Sequence, residues 1–259
     1  MNFLELDTNE VIPIVQKKHP ELWELAIDTN NYITDFQYTL KANTNKLHEL
    51  IGVSLYIRII TNYQALLILV SKGMLPQSQI MVRAQVEALF TLVAISKDNE
   101  FAEVYLGHEE HQRKGVLRKL RRYKETINSE DPDIQEATSI IEGINDNIKE
   151  NNIKRLTTEE TSKVAELHSW YDTVYALTST AVHTSARSLE THLIKDNENE
   201  AIVSFNNEPS IQGIGLPLGT GVNSMHIATD ACCDILSIEQ TKEIRQFNER
   251  YERFHKNRT

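Results

Sequence analysis

Two cysteines, six prolines and nine glycines among 259 residues leave little material for a disulfide scaffold or a turn-rich β architecture. Cys232 and Cys233 are adjacent. Sequence neighbours rarely bridge each other and two thiols cannot complete a zinc site, so a reducing cytoplasmic setting is expected. The N-terminus, MNFLELDTNEVIPIV, lacks a basic region followed by an apolar run, and no signal peptide is read there. Positive charge is also short. A net charge of −10 disfavours a general nucleic-acid coat protein but leaves room for a local basic patch. No tandem repeat, low-complexity segment or strong linker divides the chain, so residues 1–259 read as one domain. With 40% apolar and 25% charged residues, helix formers predominant, the expected class is all-α.

The chain is organised around Gly73 to Ser96, GMLPQSQIMVRAQVEALFTLVAIS, in which the only charges are Arg83 and Glu87. Spacing four sets them on one helical face, one turn apart. The preceding stretch, Gly52 to Ser71, has Arg58 as its one charge. Two such segments joined by Lys72, Gly73 and Pro76 predict a central apolar antiparallel helix hairpin in a bundle of six or seven helices. A transmembrane hairpin is the rival. Arg58, Arg83, Glu87 and several Gln and Asn residues argue against it, and no membrane partner is expected.

Residues 1–20, with Pro13 and Pro20 as breakers, read as an irregular lead-in. A helix is predicted from Pro20 to about Leu50. Glu100 to Lys124 reads as a long amphipathic helix, acidic first and basic later, which suits the helix dipole. Asp133 to Lys149 reads as a polar, peripheral helix. Thr157 with Glu160 fits a capping box, and apolar periodicity extends that helix to about Leu193. AIVSF, NNEP and SIQGIG suggest one small β-hairpin near the C-terminal third. GIGLPLGTG lacks a P-loop lysine and reads as a loop. A final helix is predicted from about Val222 to Arg253.

Four groups are site candidates. Arg83 and Glu87 form either a polar centre between helices, holding an anion or a cation, or a buried ion pair that fixes register. His183, Arg187 and Glu190 share a helical face, and Arg187 with His192 spells R-x4-H. A histidine able to move a 2′-hydroxyl proton and an arginine able to stabilise a phosphate suit metal-independent RNA cleavage; the alternative is a solvated helix face. His108, Glu109 and His111 have metal-ligand residue types, with Glu87 or His183 to complete a set, but HEEH is not HExxH and a polar face is the plainer reading. The basic run with Arg113, Arg118, Arg121 and Arg122 either contacts phosphates, RNA included, or offsets acidic neighbours. The least costly burial of two polar patches is against each other, so Glu87 is expected beside His183 or Arg187. Glu87→Ala is then expected to cost a few kcal/mol by stranding a buried cation.

RAQVE at Arg83 to Glu87, the following helix with Tyr105 and Glu109, and WYDTVYALTSTAVHTSAR with V-H-x-S at His183 and Ser185 together resemble a bacterial domain-of-unknown-function family. Its members are all-helical and similar in architecture to the HEPN superfamily. The resemblance covers about residues 50–195. It implies a helical bundle and, through R-x4-6-H, a dimeric metal-independent RNase of the toxin or antiviral defence type, with Arg187, His192 and His183 in catalysis. Non-catalytic relatives that bind partners or nucleotides are the alternative: a binding or oligomerisation module for a protein or a small anionic ligand. RNA, a homodimer or higher homo-oligomer and a protein partner are the expected partners. No metal or cofactor is expected.

Overall fold

The computed structural model describes residues 8–182, 189–196, 201–205, 208–239 and 242–256. Three helices make its centre: α3 (Leu47–Ser71), α4 (Leu75–Lys97) and α10 (Gly215–Leu236). The predicted hairpin is α3 and α4 packed antiparallel. Its turn follows from sequence. Gly73 adopts φ 68°, and the Gly73 and Met74 N–H groups bond back to Val70 and Leu69 carbonyls at 3.0 and 2.9 Å. This is the Schellman arrangement that satisfies the last carbonyls of a helix. Both α3 and α4 are long and apolar enough to cross a membrane by length and composition, and 67% of the apolar window of α4 lies buried.

Around this centre run α1 (Thr8–Lys18), α2 (Pro20–Phe36), α5 (Phe101–Ile127), α6 (Pro132–Glu150), α7 (Thr158–Val164), α8 (His168–Trp170), a π-helical turn (Tyr171–Tyr175), α9 (Ala176–Val182) and α11 (Lys242–Lys256). One two-stranded antiparallel sheet is present among the described residues, β1 (Leu193–Lys195) with β2 (Ile202–Phe205). Buried tyrosines tie the helices together with satisfied hydroxyls. Tyr63 donates to the Ala26 carbonyl at 2.8 Å, and the Tyr56 hydroxyl lies 3.0 Å from that of Thr229. Gln85, fully buried on α4, donates to the Gly221 carbonyl of α10 at 3.1 Å.

Several boundaries differ from the sequence reading. The lead-in is helical from Thr8, with Pro13 inside α1 and Val15 fully buried in the core; that anchor offsets the lost backbone bond. The helix opened by Pro20 stops at Phe36. Thr39 caps the Phe36 carbonyl at 2.8 Å, and Asn43 accepts the Asn45 N–H at 3.0 Å in a turn of its own. The capping box at Thr157 is present, with Thr157 and Glu160 bonding reciprocally at 3.1 and 2.8 Å. The helix it opens nevertheless ends at Val164. Glu166 turns left-handed at φ 57°, and Leu167 N–H reaches the Ser162 carbonyl at 2.9 Å. Apolar spacing is blind to such a cap, because apolar residues recur in the sequence on both sides of it. The hairpin partner of AIVSF is Leu193–Lys195, not SIQGIG.

The glycine-rich piece is the largest correction. GLPLGTG is the first part of α10, a core helix, rather than a loop. A Cβ at Gly215 would lie 2.9 Å from the His19 ring and one at Gly221 only 2.3 Å from Leu66. The glycines therefore permit close helix approach. The terminal helix is also two helices: Ser237, at φ 53°, ends α10 with the same Schellman bonds.

A polar network docks α11. Asn248 donates to the Asp230 carboxylate at 3.2 Å, which turns its oxygen toward His226 Nδ1 at 2.8 Å. Nδ1 therefore carries the proton. The Tyr251 ring stacks on His226 at 5.6 Å, and Arg250 reaches Asp28 of α2 at 2.6 Å. Burial holds His226 below the usual imidazole range, only partly offset by Asn248. Burial lowers His108 likewise. A depressed histidine means that the unfolded chain binds protons first as pH falls. Stability is therefore full above about pH 6.5 and declines below it. Asp230, raised by burial, works in the opposite sense, as it gains its proton in the fold first. Thermal melts from pH 8 to pH 5 should show a falling midpoint, and His226→Gln should flatten that slope. An equal slope in the variant would remove His226 from the account.

Candidate functional site

The charge-poor helix α4 presents Arg83 and Glu87 on the side that meets the π turn. Tyr175, from that turn, is their common partner. Arg83 Nη2 donates to the Tyr175 hydroxyl at 2.6 Å, and that hydroxyl donates to Glu87 Oε1 at 2.8 Å. Arg83 and Glu87 themselves are 3.5 Å apart. The guanidinium carbon also sits 4.3 Å from the Tyr175 ring centroid, a cation–π contact. Burial first, then the bond to Glu87, raise the Tyr175 phenol, so it keeps its proton and remains a donor. Tyr171 stacks on Tyr175 at 5.1 Å and His168 on Tyr171 at 5.8 Å. π turns are rare and concentrate at functional sites. Here the turn sets two tyrosines side by side on a cleft wall.

The cleft has a volume of about 860 Å³ and lies between α3, α4, α5, the 155–161 segment and the π turn. Glu87, Tyr171 and Tyr175 line one side, and Tyr105, His108 and Glu109 of α5 the other. Arg58 of α3 and Arg155 also line it. Both are exposed, and neither makes an ion pair among the described residues. His108 Nδ1 accepts the Leu156 N–H at 3.0 Å, so Nε2 carries the proton. His111 Nε2 donates to the Ile153 carbonyl at 2.9 Å. These histidines clamp the 153–156 segment onto α5, which is what places Arg155 at the cleft. Among the described residues, no group of three or more His, Cys, Asp or Glu side chains is set to hold a metal.

Of the other candidates, His108 and Glu109 share the cleft with Glu87. His183 and Arg187 lie outside the described residues, and so does the expected contact between them and Glu87. His192 is exposed at the end of the 3-10 turn Glu190–His192. Of the basic run, Arg121 is engaged by Glu125 at 3.2 Å and Thr138 at 3.5 Å, whereas Arg113, Arg118 and Arg122 are exposed. None of these four lines the cleft.

Of the side chains at this cleft, sequence reasoning named Arg83, Glu87, His108 and Glu109 as candidates and did not name Tyr175, Arg58 or Arg155. Tyr171 and Tyr175, four apart in WYDTVY, were the available signal for the aromatic wall. Nothing local marks Arg155.

Neither curated proteins nor solved structures yield a match to the chain. A family model matches residues 49–201, more than half of the chain and all of the cleft residues named above. RAQVE, the Tyr105–Glu109 helix and WYDTVY thus fall within one matched region and surround one cleft, and the chain belongs to DUF5677, a family of unknown function.

Proposed function

We propose that the chain is a non-catalytic binding module whose cleft takes a small organic anion with a flat ring and hydrogen-bond donors, as in a nucleotide. The observation that carries this reading is the pair of rim arginines, without ion-pair partners among the described residues, facing an open cleft of about 860 Å³ beside stacked tyrosines. Guanidinium groups bind phosphate and carboxylate through paired donors, and aromatic faces accept a planar ring. Glu87 and Glu109 would accept donors on the ligand. In this reading Arg83 and Tyr175 are positioning residues that hold the Glu87 carboxylate.

Titration with a panel of nucleoside monophosphates, followed by calorimetry, tests it. A charge-assisted hydrogen bond contributes about 1.5–3 kcal/mol. Arg58→Ala with Arg155→Ala should therefore weaken binding by roughly a hundredfold or more, with the melting midpoint unchanged because both side chains are exposed. No binding by any member of the panel, or equal binding by the double variant, would overturn the proposal.

Metal-independent RNA cleavage is the second reading, favoured by the exposed cations Arg113, Arg118 and Arg122, which form no ion pair among the described residues. Its chemistry would rest on Arg187, His183 and His192, in a second copy or in one. RNA cleaved in the presence of a chelator, with loss in His192→Ala, would favour it over the binding module.

A further inference from the structure

The outer half of α5 carries an apolar line that the bundle leaves uncovered. Val116, Leu120, Tyr123 and Ile127 follow one another at spacings of four, three and four, which sets them on one side of a helix. They are 57, 53, 64 and 68% exposed. On the inner half of α5 the same line passes through buried Ala102 and through Tyr105, which packs on the core. The bundle thus uses this face as far as the cleft and then leaves it. α6 holds α5 from another side, through Arg121 to Thr138 and through Ile141 and Ile144, which are buried outside the main core cluster.

Two features identify what would cover the line. Its width is one residue per turn, the seam of a coiled coil, whereas a helix lying in a membrane surface presents a broad apolar face. The flanks are cationic: Arg113 on one side of the line and Lys119 on the other are exposed and form no ion pair among the described residues, and Lys124 adds a third cation beside it. A second copy would bring the cationic flanks Lys119 and Lys124 of its own seam rather than carboxylates. We infer that the outer half of α5 docks an amphipathic helix of another protein, apolar at its seam and flanked by Asp and Glu. This inference does not depend on the cleft.

The test uses the full chain and a labelled three-heptad peptide with Leu at the seam positions and Glu at both flanks. A matched peptide with Lys at the flanks is the control, and fluorescence anisotropy the readout. The Glu peptide should bind at least tenfold tighter than the Lys peptide. Leu120→Glu with Ile127→Glu should weaken that binding at least thirtyfold, while circular dichroism and melting midpoint stay unchanged. Equal binding of both peptides, or undiminished binding by the double variant, overturns the inference. So does a seam used otherwise: with no Glu-peptide binding, a dimer by light scattering that the double variant abolishes assigns it to a second copy. Sedimentation with phosphatidylserine vesicles that the double variant abolishes assigns it to a membrane, and RNA binding that the same variant abolishes assigns it to RNA.

Discussion

Gly221→Val should cost about 3 kcal/mol, the upper end for overpacking a well-filled core. For a chain of this size that corresponds to a fall of roughly 6–12 °C in the unfolding midpoint. A Cβ at Gly221 would stand 2.3 Å from Leu66 Cδ2 and 3.4 Å from two atoms of the Tyr63 ring. Neither neighbour has room to retreat. Both are fully buried, and the Tyr63 ring is tethered by its hydroxyl to the Ala26 carbonyl at 2.8 Å. Moving α10 outward instead would stretch the 3.1 Å bond from Gln85 to the Gly221 carbonyl and open the α3–α10 contact. Gly221→Ala should fall between wild type and Val, because helix propensity returns about 1 kcal/mol of the packing loss. Gly115 is the control. It lies inside α5 with nothing within 4 Å of its virtual Cβ, so Gly115→Ala should stabilise by about 0.5–1 kcal/mol. Thermal unfolding followed by circular dichroism reads both. A Gly221→Val protein that melts with the wild type would mean that α10 does not sit this close to α3.

The same glycine explains why α10 was illegible. Four glycines and a proline within GIGLPLGTG satisfy every local rule for a loop. Only the position of Leu66 and Tyr63 on a distant helix turns them into an approach surface, and that is tertiary information. By contrast α4 was legible because it depends on one property, the near absence of charge, which forces burial whatever it packs against. Helix ends divided along the same line. Thr157 was readable as a cap because its partner Glu160 is three residues away. Glu166 and Ser237 were not, since left-handed caps are expected at glycine or asparagine. The site divided likewise. Arg83 and Glu87 announced themselves as charges in an apolar helix, but their shared partner Tyr175 comes from the far side of the matched region, and Arg155 is placed only by the histidine clamp on α5.

Tyr175→Phe is the second substitution with a large expected effect, about 1–3 kcal/mol. Sequence alone gave that role to Glu87, on the expectation that its loss strands a buried cation. The geometry moves the cost. The Arg83 side chain is 15% exposed and Glu87 is 44% exposed, so the carboxylate has water as an alternative partner and the guanidinium largely does not. Arg83 Nη1 is already buried without a hydrogen-bond partner among the described residues, and Nη2 relies on the Tyr175 hydroxyl at 2.6 Å, with Glu87 farther off at 3.5 Å. Removing the hydroxyl keeps the ring under the guanidinium but leaves the buried donors nearly unanswered, the situation in which the full desolvation cost is felt. Glu87→Gln keeps the Arg83–Tyr175 bond and removes a half-exposed charge pair, which contributes about 0.5 kcal/mol or less. The expected order of destabilisation is therefore Tyr175→Phe well above Glu87→Gln, measured by chemical denaturation of each variant. Nucleotide titration on the same proteins separates lock from site. Glu87→Gln with an unchanged midpoint and at least tenfold weaker binding marks the carboxylate as a ligand contact. Glu87→Gln as destabilising as Tyr175→Phe, with binding intact, would make the three residues a structural lock and place the ligand contacts elsewhere in the cleft.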